Sequence, residues 1–390
     1  MSRSGRSCSF DDARADIRQL GRLLAEAHPD PYLRGGGMVA FHRRVEEAVA
    51  AVPEAGLTIT ELLRLLWPVV AAVGDGHTAI YDPTDPDEAV DQRAEPGLAT
   101  PARPWVEWEI VEERLYVAGV YREAERRLLG ARLQAAGGVP FDALAARMGE
   151  LRGYDNVYNN LVHLANALAH RGLLADLLGL ASAPGELPVT LTTVDGATID
   201  VTLPLSIEPP GDLIEPPSAL SLAPLNSARM AWQLLDERTA LLRIGPMMWY
   251  REAFEVWRAM GSHHTLGYHL EATARLALGA DPPADIDGRI AAVPSATEFI
   301  QDLFAALRAT DVGTLLVDLR DSTGGNSHIA TILAWFLHDP DALAGVDDGY
   351  QARRYSELYY DNNRSVPARP SSTTSPIRPP GSAAGGRVNR

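Results

Sequence analysis

The sequence predicts an α/β protein whose first part is helical. Three observations carry that prediction. Apolar residues recur at helical spacing over 9–72. Alternating strands separated by Gly-rich turns occupy much of 105–205. From Leu315 to Leu337 an apolar β-rich run, a double glycine and a 3.6-period pattern succeed one another, which describes a strand-turn-helix crossover.

In the N-terminal helical region (9–82), Ile17, Leu20, Leu23 and Leu24 place a helix over 10–27. Asp11 and Asp12 favour its start, and the His28-Pro29-Asp30-Pro31 run stops it. Two more helices are predicted over 41–52 and 59–73, the second capped by Thr58 or Thr60. The turn Gly74-Asp75-Gly76 and a short β-like segment, 77–81, follow. Residues 82–104, rich in Pro, Asp and Glu, read as a linker.

A small α/β module is predicted over 105–205. Val106, Trp108 and Ile110 alternate, then Leu115 and Val117. Leu133 to Pro140 reads as strand, turn, strand, leading into a helix at Phe141. A helical stretch is inserted at 155–180. Asp195-Gly196 joins two alternating runs as a hairpin. After a Pro-rich linker at 208–224, strand and helix alternate over 225–360, which predicts a parallel sheet. Residues 366–390 hold five prolines, four arginines and no acid, and read as a disordered tail; a frame-shifted end is the alternative.

The 390 residues suffice for two or three domains. A net charge of −16 argues against a nucleic-acid partner or an anionic membrane surface. No window of about eighteen apolar residues is seen, so no membrane span is expected. One cysteine, Cys8, excludes an internal disulfide framework, and the absence of a signal-like start points to the cytoplasm for the chain as written. All 35 basic residues are arginine, so no lysine can act as a base or Schiff-base former.

Among ten histidines, His77 stands out, just past a glycine turn, as a general base. Asp75 would need a turn to orient it. His263, His264 and His269 do not share one helix face and lack a carboxylate pair, so neither a metal nor another cofactor is expected. Gly324-Gly325 can present backbone N–H groups to an anion, but the further glycines and lysine of a phosphate loop are absent.

Three stretches together resemble the tail-specific (C-terminal processing) serine peptidase family, in its tricorn-core-like branch. Val73-Gly74-Asp75-Gly76-His77-Thr78 is similar to the family's Gly-Asp-x-His-Thr segment. Leu241-Leu242-Arg243-Ile244 is similar to the first strand of its catalytic core. Val317 to Gly325 resembles the Asp-x-Arg-x-Asn-x-Gly-Gly signature, with Ser322 in place of asparagine. The resemblance spans about residues 10–360.

It implies an incomplete crotonase-like βαβ catalytic core, a PDZ-like module at 105–205 and peptide-bond hydrolysis by a serine nucleophile acting on a peptide or protein. Family members are often extracytoplasmic. One branch uses a lysine base and the other a histidine, so His77 is the implied base and Gly324 and Gly325 the oxyanion hole. Gly76 stands where the histidine branch has serine. The nucleophile is expected after a further apolar strand. No such strand follows Val346, and Ser371, Ser372, Ser375 and Ser382 lie in the tail-like segment. The nucleophile segment is therefore expected to be missing and the core incomplete. The readings kept beside this one are a non-catalytic protein binding peptides or hydrophobic ligands, and an inactive fragment.

Overall fold

The computed structural model describes residues 7–32, 34–80, 102–169, 178–180, 185–217, 220–261, 266–322 and 324–338, with positions 343, 354, 356 and 357. It is a mixed α/β structure of two compact units, one formed by 1–217 with 351–390 and the other by 218–350.

In the first unit, β1 (Ser7–Cys8) pairs antiparallel with β2 (Leu57–Thr58) beside three helices, α1 (Phe10–Ala27), α2 (Gly37–Ala50) and α3 (Ile59–Ala71). Ser9 caps α1 by accepting the Asp12 N–H, and Thr58 with Glu61 closes a capping box on α3. The helices bury Ile17, Phe41, Val45, Val49 and Leu62 in one cluster. Each such side chain removed from water stabilises the fold by about 1.5–3 kcal/mol.

An all-antiparallel seven-stranded sheet follows: β3 (Arg103–Pro104), β4 (Val106–Val111), β5 (Arg114–Val120), β6 (Arg132–Ala136), β7 (Val139–Pro140), β8 (Glu186–Thr192) and β9 (Thr198–Ser206). Its order is β3-β9-β8-β6-β5-β4, with β7 on β6. Two helices, α4 (Phe141–Leu151) and α5 (Val157–Ala169), share its core through Leu144, Met148, Leu161 and Leu164 against Leu115, Val117 and Leu133. The Asp195-Gly196 turn joins β8 to β9 as expected, with Gly196 in the left-handed region. Ile214, within the Pro-rich stretch read as linker, bridges to Val120.

The second unit carries β10 (Met230–Leu234), β11 (Thr239–Ile244) and β12 (Thr314–Asp318). The expected parallel pairing holds for β11 and β12, whose connection contains helices, but β10 joins β11 antiparallel through a tight turn. Leu242, Ile244, Tyr250, Ile300 and Leu303 form the core beneath helices Ala296–Ala309 and His328–Leu337. The run Ile286–Ala309 is long and apolar enough to cross a bilayer. It is broken at Pro294 into two helices, and Ile290, Val293, Ala296, Ile300 and Leu303 are buried in the unit's cores.

Three local expectations are corrected. Residues 77–80 form no strand: the chain turns at 76–77, where the Asp75 side chain takes the His77 N–H and its carbonyl takes that of Thr78, and runs on without regular structure. Arg103–Pro104, read as linker, is a strand on β9. The helix expected to start at Phe41 begins at Gly37.

Candidate functional site

The surroundings of His77 are assembled from three chain segments of the first unit. Pro29 ends α1, leaving His28 as its C-cap. His28 Nδ1 accepts the Asp30 N–H at 3.2 Å, which places the proton of the neutral ring on Nε2. That nitrogen donates to Asp75 Oδ2 at 3.2 Å.

The second segment follows α3. Gly74 turns the chain at φ +73°, and a β-carbon there would strike Arg34 Cβ at 2.6 Å. Asp75 Oδ1 accepts the His77 N–H at 2.9 Å, and Oδ2 also accepts the Thr78 hydroxyl. Burial opposes ionisation of Asp75, but the bonds from Thr78, His77 and His28 outweigh it and hold the carboxyl below its ordinary range.

The third segment links α4 to α5. A β-carbon on Gly153 would sit 2.5 Å from the Asp75 carbonyl oxygen. Two residues on, Asp155 Oδ1 accepts the Gly76 N–H at 3.1 Å. Arg34 ties this segment down by donating to the carbonyls of Tyr154 (2.8 Å) and Asp155 (3.1 Å). Asn156 caps the start of α5 by accepting the Asn159 N–H.

His77 Nδ1 therefore lies 3.8 Å from Asp75 Oδ1 and 3.8 Å from Asp155 Oδ2, with its side chain 93% exposed. Its Nε2 makes no hydrogen bond among the described residues. An imidazolium formed here as the base accepts a proton would face two carboxylates. One atom from each of Asp75, His77 and Asp155 lies within 4.8 Å of the others, so the three could also offer ligands to a divalent cation. No cation site was read at these positions in the sequence, because Asp155 is 79 residues from Gly76 and nothing local points to it. A cleft of about 500 Å³ opens beside Gly74, lined by Arg34, Arg44, Glu150, Leu151 and Tyr154.

In the second unit, Arg243 and Asp318 are register partners on the parallel strands β11 and β12. Arg320 donates to both Asp318 oxygens, and this pair, reinforced by Arg243, brings the Asp318 carboxyl down to about 2 despite some burial. Arg243 also binds Asp321 at 2.9 Å. Beyond this charged hinge the double glycine lies against Met247. Met247 N–H donates to the Gly324 carbonyl at 2.8 Å and Asn326 N–H to the Met247 carbonyl at 2.7 Å. That parallel bridge turns the Gly325 N–H away from Met247, and the group has no partner among the described residues. Gly325 adopts φ +134°, and a β-carbon there would meet the Met247 carbonyl oxygen at 2.6 Å. The Gly324 N–H reaches Ser322 Oγ at 3.4 Å.

Tyr250, buried, fixes this loop. Its hydroxyl donates to the Asn326 carbonyl (3.1 Å) and accepts the Ile329 N–H (3.0 Å). Burial pushes the phenol up to about 12. An apolar cleft of about 760 Å³ lies nearby, lined by Leu220, Leu241, Leu316, Leu319 and Arg320 among others.

His269 packs its ring on Trp249 at 4.7 Å between centroids. His263, His264, Ser371, Ser372, Ser375 and Ser382 lie outside the described residues, so the expected loss of the nucleophile falls outside them too. Arg354 Nη1 reaches the His28 carbonyl oxygen at 3.5 Å.

No protein-family model matches the chain, and no curated protein matches it. Among solved structures it is similar to the chlamydial protease CPAF. For mature CPAF complexed with lactacystin the identity is 13% and the TM-score 0.49, covering 83% of this chain and 58% of that one. Mature CPAF without that compound gives 13% and 0.47, covering 81% and 56%. A CPAF serine-to-alanine mutant gives 12% and 0.47, covering 81% and 57%. The chain thus spans less than two thirds of the length of these structures. Identity and superposition are both too slight to carry an argument, so the roles of His77 and the glycines rest on their own geometry.

Proposed function

We propose that the protein is a serine-type peptidase of the tail-specific family, hydrolysing peptide bonds in proteins or peptides. His77 acts as the general base, and Gly324 and Gly325 supply oxyanion-hole N–H groups. The observation that carries this reading is the His77 imidazole. A turn of three converging segments holds it beside two carboxylates, with Nε2 unengaged, in a chain that has no lysine to serve instead.

In this reading His77 Nε2 takes the proton from a serine hydroxyl as the oxygen attacks the peptide carbonyl. The negative charge that develops on the carbonyl oxygen is met by the Gly325 N–H, which the bridge to Met247 aims away from the sheet. The imidazolium then returns its proton to the departing amine, and water repeats the sequence on the acyl-enzyme. The second unit would be a crotonase-like core and the 105–205 region a PDZ-like module that receives the peptide. The segment expected to carry the serine, read from the sequence as missing, falls outside the described residues, and no described residue is assigned as the nucleophile.

A fluorophosphonate probe tests this. Labelling of the purified protein at a single serine, lost in His77→Gln, is the expected result, and mass spectrometry of the labelled peptide identifies the nucleophile. Absence of labelling contradicts the peptidase reading. The alternative of a non-catalytic peptide-binding protein is favoured by the β6–Gly137-Gly138–β7–α4 unit, a strand, glycine turn, short strand and helix in direct succession. It would then be supported by peptide binding that His77→Gln leaves intact.

A further inference from the structure

We propose that Asp155 is the positioning residue of His77, drawing the ring proton to Nδ1 and leaving the Nε2 lone pair free. The inference rests on the general-base reading of His77 and adds to it the residue that sets the base's tautomer.

Two carboxylates lie at the same 3.8 Å from Nδ1, but they differ in what else they hold. Asp75 is committed: Oδ2 accepts from His28 and Thr78, and Oδ1 accepts the His77 backbone N–H. Asp155 uses only Oδ1, on the Gly76 N–H at 3.1 Å. Its Oδ2, the atom nearest the imidazole, has no other partner among the described residues. A carboxylate oxygen facing one ring nitrogen selects the tautomer protonated there. The His77 side chain is almost fully exposed, so rotation about its own bonds can close 3.8 Å to hydrogen-bond distance without moving the backbone.

The backbone around Asp155 is built to hold that oxygen in place. Gly76 has no β-carbon, and one would lie 2.7 Å from both Asp155 Oδ2 and Asn159 Oδ1. The Asp155 N–H donates to Asn159 Oδ1 at 3.3 Å, and its carbonyl accepts from Arg34 at 3.1 Å. The carboxylate is therefore anchored by its own backbone, by the Gly76 N–H and by the helix that starts at Val157. Preorganisation of this kind is what a positioned base requires.

Nitrogen-15 NMR of the His77 imidazole, at a pH where the ring is neutral, reads the tautomer directly, with the resonances assigned by their loss in His77→Gln. The expected spectrum has Nδ1 protonated and Nε2 bare. In Asp155→Asn the amide oxygen can still accept the Gly76 N–H, while the amide NH2 now offers a proton to Nδ1. The population therefore shifts to the Nε2-protonated form, and Asp155→Glu retains the original one. A predominantly Nε2-protonated ring in the unaltered protein overturns the proposal, as does an unchanged tautomer in a folded Asp155→Asn. The spectra need no substrate, so they judge Asp155 separately from peptide hydrolysis. Where the unaltered protein cleaves a peptide, Asp155→Asn lowers kcat by about 10- to 100-fold with little change in KM.

Discussion

The Gly76 N–H donates to the Asp155 carboxylate at 3.1 Å across 79 residues of chain, and a β-carbon on Gly76 would press on the other oxygen of that carboxylate at 2.7 Å. The histidine branch of the family that the sequence resembles has a serine at this place. Here the glycine admits a carboxylate from the neighbouring segment instead.

Gly76→Ala should therefore cost about 1–3 kcal/mol, because its methyl group meets Asp155 Oδ2 and Asn159 Oδ1 at 2.7 Å. Urea unfolding measures it. A midpoint equal to that of the unaltered protein would show that the segment after α4 does not press on this turn.

The two glycines of the second unit should separate. At Gly324 a β-carbon meets nothing, so Gly324→Ala costs only the strain of φ +86°, about 1–2 kcal/mol. Gly325→Ala adds a collision with the Met247 backbone, so its cost is larger by about 1–3 kcal/mol. Paired denaturation curves check the order; equal losses would contradict the bridge to Met247.

Tyr250→Phe removes a hydroxyl that both donates and accepts in a buried place, and leaves the Ile329 N–H unsatisfied. A loss of about 1–3 kcal/mol is expected. Hydrogen exchange at Ile329 should quicken in the variant, and unchanged protection would argue against the contact.

His163, on α5, gives the fold an acid sensitivity. Burial, then the Arg152 charge, lowers its imidazole to about 4, while the Gly153 backbone opposes the shift. Above about pH 6.5 the ring is neutral whether the protein is folded or not, and it costs nothing. As pH falls from about 6.5 to 4 the unfolded chain takes up a proton that the folded one refuses, so stability drops through that window. Below about 4 no further loss comes from this group. His163→Gln should flatten the dependence of Tm on pH between 4 and 6.5; a profile as steep as the unaltered protein's would assign the effect elsewhere.

What could be read from the sequence was local. The helix over Phe10–Ala27, the Asp195-Gly196 hairpin, the strand-turn-helix at Leu315–Leu337 and the Leu133–Phe141 run all follow from spacing within one element. Met230–Leu234 carries no clean alternation, and its strand character comes from pairing with β11. Helices Glu271–Leu278 and Ile286–Ala292 are too short to show a period. His77 was visible because a glycine turn precedes it. Asp155 was not, because its place beside the imidazole depends on Gly76 and Gly153 letting two distant segments meet. Met247 and Tyr250 escaped for the same reason: the bonds that fix the double glycine come from the loop after β11.

Whether His77 is the base is read from the rate of peptide hydrolysis by the purified protein compared with His77→Gln. Loss of the base should lower kcat/KM by about 10²–10⁴-fold while the thermal unfolding curve stays in place. Hydrolysis that survives His77→Gln undiminished would contradict the assignment of His77 as the base.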